Sequence, residues 1–145
     1  MSLLRLTKEF TFEMAHALPA YEGKCRNIHG HSYRLLVTVQ GDVEQTVGAA
    51  TEGMVIDFRR LKQIVQENIV DRFDHSLVLP RRGYDAPADS LGGFAANIVW
   101  VDFQPTSENL LLHFAALLGD KFPTGAQLHS LKLYETATSC AELIL

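Results

Sequence analysis

The sequence predicts an α+β domain: four strands in one antiparallel sheet with two helices on one face, in the order strand, strand, helix, helix, strand, strand (ββααββ). Three observations carry this. Segments near both ends alternate apolar and polar residues with a period of two. Two interior segments place apolar residues at helical spacing, each just after a capping residue. A chain of 145 residues is most simply one domain, here 1–145, large enough to bury a core without disulfides.

Residues 4–17, LRLTKEFTFEMAHA, read as the first strand. Phe10, Phe12, Met14 and His16 share one face, and Glu9, Thr11 and Glu13 the other. Pro19 and Gly23 break it, and a loop over 18–28 carries Cys25. The second strand runs from about His29 to Gln40, with His29, His31, Tyr33, Leu35, Val37 and Val39 on one face. Gly41–Gly53 is polar and reads as a loop. Asp57 caps a helix at about 58–72, whose stripe is Phe58, Leu61, Ile64, Val65, Asn68 and Ile69. Residues 80–97 hold two prolines and three glycines without a period and read as an extended loop, followed by a possible short strand at Ile98–Val101. Thr106 caps a second helix at about 107–119, striped by Leu110, Leu111, Phe114, Leu117 and Leu118. Strands at about 128–135 and 140–145 close the chain.

The composition excludes several classes. The content of 47% hydrophobic and 21% charged residues is that of a globular protein, and no apolar run approaches a membrane span. A formal charge of −4 disfavours a general nucleic-acid binder, which needs a basic face. It leaves room for an anionic small substrate, because a bound dication reverses the local field. The N-terminus lacks a signal-peptide core, and two cysteines fit a reducing, cytoplasmic setting better than a disulfide scaffold.

The chemistry concentrates in His16–Ser32, HALPAYEGKCRNIHGHS, which holds three of six histidines and one of two cysteines. His29 and His31, two apart on a strand, leave from the same side. If the first two strands pair antiparallel, His16 returns to meet them. Three imidazoles suit zinc (Zn2+), which in catalytic sites keeps a fourth position for water or substrate. Gly30 leaves the opposite face open and frees the backbone there. Lys24, Arg26 and Asn27 argue that Cys25 is accessible and favour its thiolate, against the alternative of a small packed hydrophobe.

Other candidates keep two readings. Asp74-His75 is either an imidazole at a helix C-terminus, favoured by the helix dipole, or a carboxylate-oriented acid/base pair. Glu135 ends an apolar strand face and is either solvent-facing or a buried acceptor for a ligand's N–H groups. His113, His129 and Cys140 read as structural.

In order along nearly the whole chain stand FxxxHxL at Phe12–Leu18, CRNIHGHSY at Cys25–Tyr33, GMVIDF at Gly53–Phe58, Asp74-His75, PTSEN at Pro105–Asn109 and YETATSCAE at Tyr134–Glu142. With these blocks the chain resembles the 6-pyruvoyl-tetrahydropterin synthase and 6-carboxytetrahydropterin synthase family. The resemblance implies the tunnelling fold, a four-stranded antiparallel sheet with two helices. Three such sheets join into a barrel, and two trimers stack into a homohexamer with active sites between subunits. It implies that His16, His29 and His31 bind zinc and that Cys25 transfers protons. It makes His75, oriented by Asp74, the second acid/base group. It places the pterin on Glu135, with Thr106 and Ser107 near the same pocket.

The implied substrate is 7,8-dihydroneopterin triphosphate, converted without a redox cofactor. One branch of the family forms 6-pyruvoyltetrahydropterin. The other forms 6-carboxytetrahydropterin and acetaldehyde, on the route to queuosine and other 7-deazapurines. The compact chain looks more like the carboxy-forming branch. The rivals are the pyruvoyl-forming enzyme and, from a different class, a zinc-stabilised pterin-binding module without turnover. The resemblance assigns no basic residue to the triphosphate; Lys24 and Arg26 stand out by proximity alone. Ala137 and Cys140 depart from the Pro and the bulkier residue common in relatives, and 76–97 has no clear counterpart in short family members.

Overall fold

The computed structural model describes residues 2–81 and 88–145. Two long strands form its spine. β1 (Leu4–His16) and β2 (His29–Gly41) pair antiparallel over their full length, with His16 opposite His29 and Met14 opposite His31. β5 (Ala126–Thr136) pairs antiparallel with β2, and β6 (Ser139–Ile144) with β5. These are the four antiparallel strands the alternating pattern predicts.

The sheet is larger than that. β3 (Ser76–Pro80) lies parallel to β1, and β4 (Ile98–Val101) lies parallel to β3, giving the order β4-β3-β1-β2-β5-β6. The expected four-stranded antiparallel sheet is therefore corrected to a six-stranded mixed one. β3 reads SLVLP and is largely buried along its length. A parallel strand covered on both faces shows no alternation, so the period-two signal that revealed the other strands is missing from it. The short strand expected at Ile98–Val101 is β4. Of the loop expected over 80–97, residues 82–87 lie outside the described residues. Pro80 belongs to β3, and Ala88–Phe94 forms short 3-10 turns.

The helix expected at 58–72 starts at its predicted cap: Asp57 accepts from the Arg59 N–H at 2.8 Å. It runs as α1 (Phe58–Val65), a π turn (Gln66–Val70) and α2 (Asp71–Phe73). α3 (Ser107–Leu118) is capped by Thr106, whose hydroxyl accepts from the Asn109 N–H at 3.2 Å.

Both helical runs bury most of their stripes against one sheet face, while Phe58, at the start of the first, stays exposed. Phe10, Phe12, Met14, Tyr33 and Leu35 from the strands meet Ile69 and Phe73 from one run and Phe114 from the other in a single core. Phe12 stacks on Tyr33 at 5.5 Å and meets Phe114 edge-on at 6.2 Å between ring centroids. Truncating such a buried ring typically costs about 3–5 kcal/mol, so this packing fixes where β1 and β2 end relative to α3. The opposite face is polar: Arg34 pairs with Glu9 at 3.0 Å and covers the Tyr134 ring at 4.1 Å.

Candidate metal centre and active site

The β1–β2 register puts three imidazoles at one end of the sheet. His16, His29, His31 and Glu135 each offer one ligand atom, and these atoms lie within 4.8 Å of one another. Ring centroids are 4.6 Å apart for His16–His29, 5.2 Å for His16–His31 and 4.9 Å for His29–His31. The convergence expected from spacing is present, and β5 adds a carboxylate to it.

The hydrogen bonds show what this cluster needs. His16 Nδ1 lies 2.7 Å from the Pro105 carbonyl, and His29 Nδ1 lies 2.7 Å from the Asn27 carbonyl. A carbonyl oxygen only accepts, so each Nδ1 carries the hydrogen. In the neutral rings both Nε2 atoms are then bare lone pairs, yet they face each other at 3.1 Å. His31 Nε2 lies 2.9 Å from Glu135 Oε1 but has no well-directed hydrogen-bond partner, although it is buried. Two bare imidazole nitrogens, His31 Nε2 and a carboxylate oxygen thus face one small volume. A cation between them relieves the repulsion, and backbone carbonyls on Nδ1 are the usual outer partners of metal-binding histidines. The donor set fits a divalent metal ion.

Burial favours the neutral, metal-ready rings. His16 is fully buried, and this pushes its pKa below the ordinary histidine value, against opposing pulls from the Pro105 carbonyl and Glu135. His31 is lowered too, first by burial, with Glu135 opposing.

Glu135 is held rather than solvated. It is 28% exposed, and the Ser107 hydroxyl donates to its Oε2 at 2.7 Å while Oε1 faces His31. The solvent-facing reading of Glu135 is therefore set aside. The PTSEN segment works as a unit here: Pro105 orients His16, Thr106 caps α3, and buried Ser107 orients Glu135.

Cys25 lies in a 3-10 turn, Lys24–Arg26, and is half-buried. The turn is tied down by the Leu18 N–H to the Cys25 carbonyl at 3.0 Å and by the Asn27 N–H to the Lys24 carbonyl at 3.1 Å. Cys25 is not among the metal-capable group. Its thiol stays available for other chemistry.

Asp74 and His75 form their pair: His75 Nδ1 lies 3.0 Å from Asp74 Oδ1. Oδ1 also accepts from the Glu13 N–H at 2.9 Å, and the His75 N–H donates to the Glu13 carbonyl at 2.6 Å. These bonds, that from the Glu13 N–H first, hold the Asp74 carboxyl below its usual pKa. His75 has φ 58°, and among the described residues it is the one non-glycine with positive φ. A left-handed backbone costs a β-carbon residue about 1–2 kcal/mol, so both Glu13 bonds are needed to hold it. The imidazole projects outward, with 78% of its side chain exposed. The helix stops at Phe73 and Asp74 is already extended, so His75 has left the helix axis.

A cavity of about 480 Å3 joins His75 to His31, with Glu13, Ser32 and Asn97 on its wall. Cys25 does not line it. A single chain thus brings the imidazole cluster, Glu135 and Ser107 together, and shares a cavity between His31 and His75.

Two other expectations are revised and one is met. Gly30 has no left-handed backbone, and a β-carbon there would make only ordinary contact with the Met14 carbonyl, at 3.5 Å, so its freedom is unused. Cys140 is exposed rather than packed. His113 does pack, edge-on to Phe73 at 6.0 Å and near Phe103 at 5.3 Å, as a structural residue would. Tyr33 was missed as a site neighbour. Its ring lies 5.5 Å from His31 and 6.2 Å from His16, and its buried hydroxyl has no partner. Burial, then Glu135, raises its pKa. The period that aligned His29 with His31 also placed Tyr33 on their face.

Fold and site together define a chain with a metal-capable His/Glu cluster at one end of a sheet and a hydrogen-bonded Asp–His pair that shares a cavity with it. The profile of the 6-pyruvoyl tetrahydropterin synthase family matches residues 5–144, and the chain belongs to that family. It is 34% identical to a 6-carboxy-5,6,7,8-tetrahydropterin synthase of Haemophilus influenzae, over 97% of this chain and 98% of the relative. It is 37% identical to the enzyme of the same name from Synechocystis sp., over 92% and 88%. Its fold matches the crystal structure of 6-pyruvoyl tetrahydropterin synthase from Plasmodium vivax with a TM-score of 0.76 at 20% identity, covering 99% of this chain and 98% of that one.

Proposed function

We propose that this protein converts 7,8-dihydroneopterin triphosphate and one water to 6-carboxy-5,6,7,8-tetrahydropterin, releasing acetaldehyde and triphosphate, with zinc as the metal. The observation that carries the reading is the convergence of His16, His29, His31 and Glu135 in a chain whose full-length relatives bear that enzyme name. Three imidazoles suit zinc, which in catalytic sites leaves a position for water or substrate.

In this reading His16, His29 and His31 hold the ion. Bound there, it supplies Lewis-acid polarisation of the substrate's side-chain oxygens, which acidifies the adjacent C–H and O–H groups. Glu135 accepts the pterin ring N–H groups, and Ser107 fixes its second oxygen for that task. Thr106 caps the helix that carries Ser107. Cys25 takes a proton from the side chain, and His75, oriented by Asp74, returns one. The exposure of His75, and the cavity that reaches it without Cys25, support a site completed by a neighbouring subunit, as in a dimer-of-trimers hexamer. Among the described residues no helix is long and apolar enough to cross a membrane.

The test is incubation of the zinc-loaded protein with 7,8-dihydroneopterin triphosphate and identification of products by mass spectrometry. A carboxypterin with acetaldehyde is the expected outcome. A pyruvoylpterin would move the protein to the other branch, and zinc-loaded protein that binds pterin without product would make it a binding module.

A further inference from the structure

Glu135 has one task in the proposed function, to accept the pterin N–H groups, yet its carboxylate lies among the imidazoles. Oε1 is 2.9 Å from His31 Nε2 and 3.8 Å from His16 Nε2, and His16 Nε2 is 3.1 Å from His29 Nε2. A tetrahedral metal with bonds of about 2.0–2.2 Å keeps its ligand atoms about 3.3–3.6 Å from one another. The three separations fall on both sides of that spacing, and all four ligand atoms lie within 4.8 Å of one another. Glu135 Oε1 therefore stands where the fourth ligand of a tetrahedral site belongs.

No hydrogen bond to the imidazoles holds it there. His31 Nε2 is close but has no directed hydrogen-bond partner. In the neutral ring His16 Nε2 is a bare lone pair, because its Nδ1 carries the hydrogen toward the Pro105 carbonyl.

The fold sets the position instead. Tyr134 pairs with Cys140 on β6 and Thr136 with Ser139, so Glu135 is one residue extra on β5. Such a β-bulge re-aims a side chain. The Ser107 hydroxyl then holds Oε2 at 2.7 Å and leaves Oε1 to the imidazoles. A ligating carboxylate is ordinarily hydrogen-bonded in this way through its outer oxygen. The Pro105 and Asn27 carbonyls serve His16 and His29 in the same role through Nδ1.

We infer that Glu135 is the fourth metal ligand of the ligand-free protein, so that its carboxylate closes the metal site until a pterin takes it. This rests on the proposed function and deepens it, because one carboxylate then serves two partners in turn. The carboxylate charge offsets part of the dication's charge at a site where His16 is fully buried. Pterin N–H groups and the metal compete for the same carboxylate. A ligand with the pterin edge breaks the bond between Glu135 and the metal, and water or a side-chain oxygen of the ligand takes the vacated position. A molecule lacking that edge meets a closed site.

The test reads zinc affinity, by competition with a chelator, and the visible bands of cobalt-loaded protein, which follow the ligand set and lie clear of pterin absorption. It compares wild type with Glu135→Gln, Ser107→Ala and, as a charge-matched control on the opposite sheet face, Glu9→Gln. Glu135→Gln keeps the side chain's shape and is expected to weaken zinc binding by about a hundredfold, the upper end for even an outer partner, and to shift the cobalt bands. Ser107→Ala should weaken zinc binding by about tenfold, and Glu9→Gln should change neither readout. Plain pterin, which has no side-chain oxygens, should move the wild-type bands toward those of Glu135→Gln and leave the variant's own bands in place. Unchanged zinc affinity and bands in folded Glu135→Gln overturn the inference and leave the proposed function standing. Pterin that binds wild type, seen by its fluorescence, without moving the bands also overturns it. Should Glu135→Gln fail to fold, the pterin response of wild type decides alone. Wild type that holds no metal removes the proposed function, and this inference with it.

Discussion

The metal-capable cluster and the Asp74–His75 pair meet at one cavity, lined by His31 and His75, and are built in opposite ways. His16 is fully buried, while 78% of the His75 side chain is exposed. The cluster takes its geometry from the regular ladder of two long strands, which aligns His16 with His29 and leaves their nitrogens aimed at one point. The pair takes its geometry from an irregular bend, a left-handed histidine pinned by two bonds to the Glu13 backbone. The first arrangement gathers its donor atoms inside one chain. The second presents an oriented imidazole outward, and strain of that kind collects at functional sites. The comparison predicts that changes to the cluster remove the cofactor, whereas changes to the pair remove chemistry and leave the cofactor in place.

The largest effect is expected from His29→Ala or His31→Ala. Either should strip zinc from the purified protein and lower turnover by well over about a hundredfold, the upper range for losing even an outer-shell partner. Metal analysis decides this, and full occupancy in either variant would refute the trio. Cys25→Ala should keep its zinc and lose about 10²–10⁴ in kcat, the usual worth of a proton-transferring group. Zinc lost together with the thiol would make Cys25 a ligand.

His75→Asn comes next. Asparagine tolerates the left-handed backbone, so the fold should survive while kcat falls by about a hundredfold. An unchanged kcat would return the pair to a merely structural helix-end role. The cluster also gives metal-free protein a pH signature. The folded pKa of His16 lies below the ordinary value of 6.5, so its contribution to stability is complete above that value. It is lost as pH falls through the folded pKa, because the unfolded chain takes up the proton first. Denaturant melts of metal-free protein should therefore weaken as pH falls below 6.5, and a His16→Gln variant should show a shallower slope. The smallest effect belongs to Tyr33→Phe. Its buried hydroxyl has no partner, so removing it should change stability by less than about 1 kcal/mol or raise it. A loss above about 2 kcal/mol would mean that the hydroxyl bonds a group at the site.

The alternating pattern alone marked the strands at 4–17, 29–40 and 128–135 and the shared side of His29, His31 and Tyr33, because a strand's period fixes which side each residue leaves. Local chemistry also placed both helix starts, since Asp57 and Thr106 bond to N–H groups only two or three residues ahead. The tertiary structure decided what depends on distant partners. β3 is a strand because it lies between β1 and β4, and a run buried on both faces carries no period to read. Glu135 joins the imidazoles because β5 lies beside β2 and because Ser107, at the start of α3, reaches its carboxylate. His75 takes its left-handed backbone from bonds to a residue on β1, sixty-two positions earlier in the chain. Spacing can place a residue on a face, but only packing decides what meets it there.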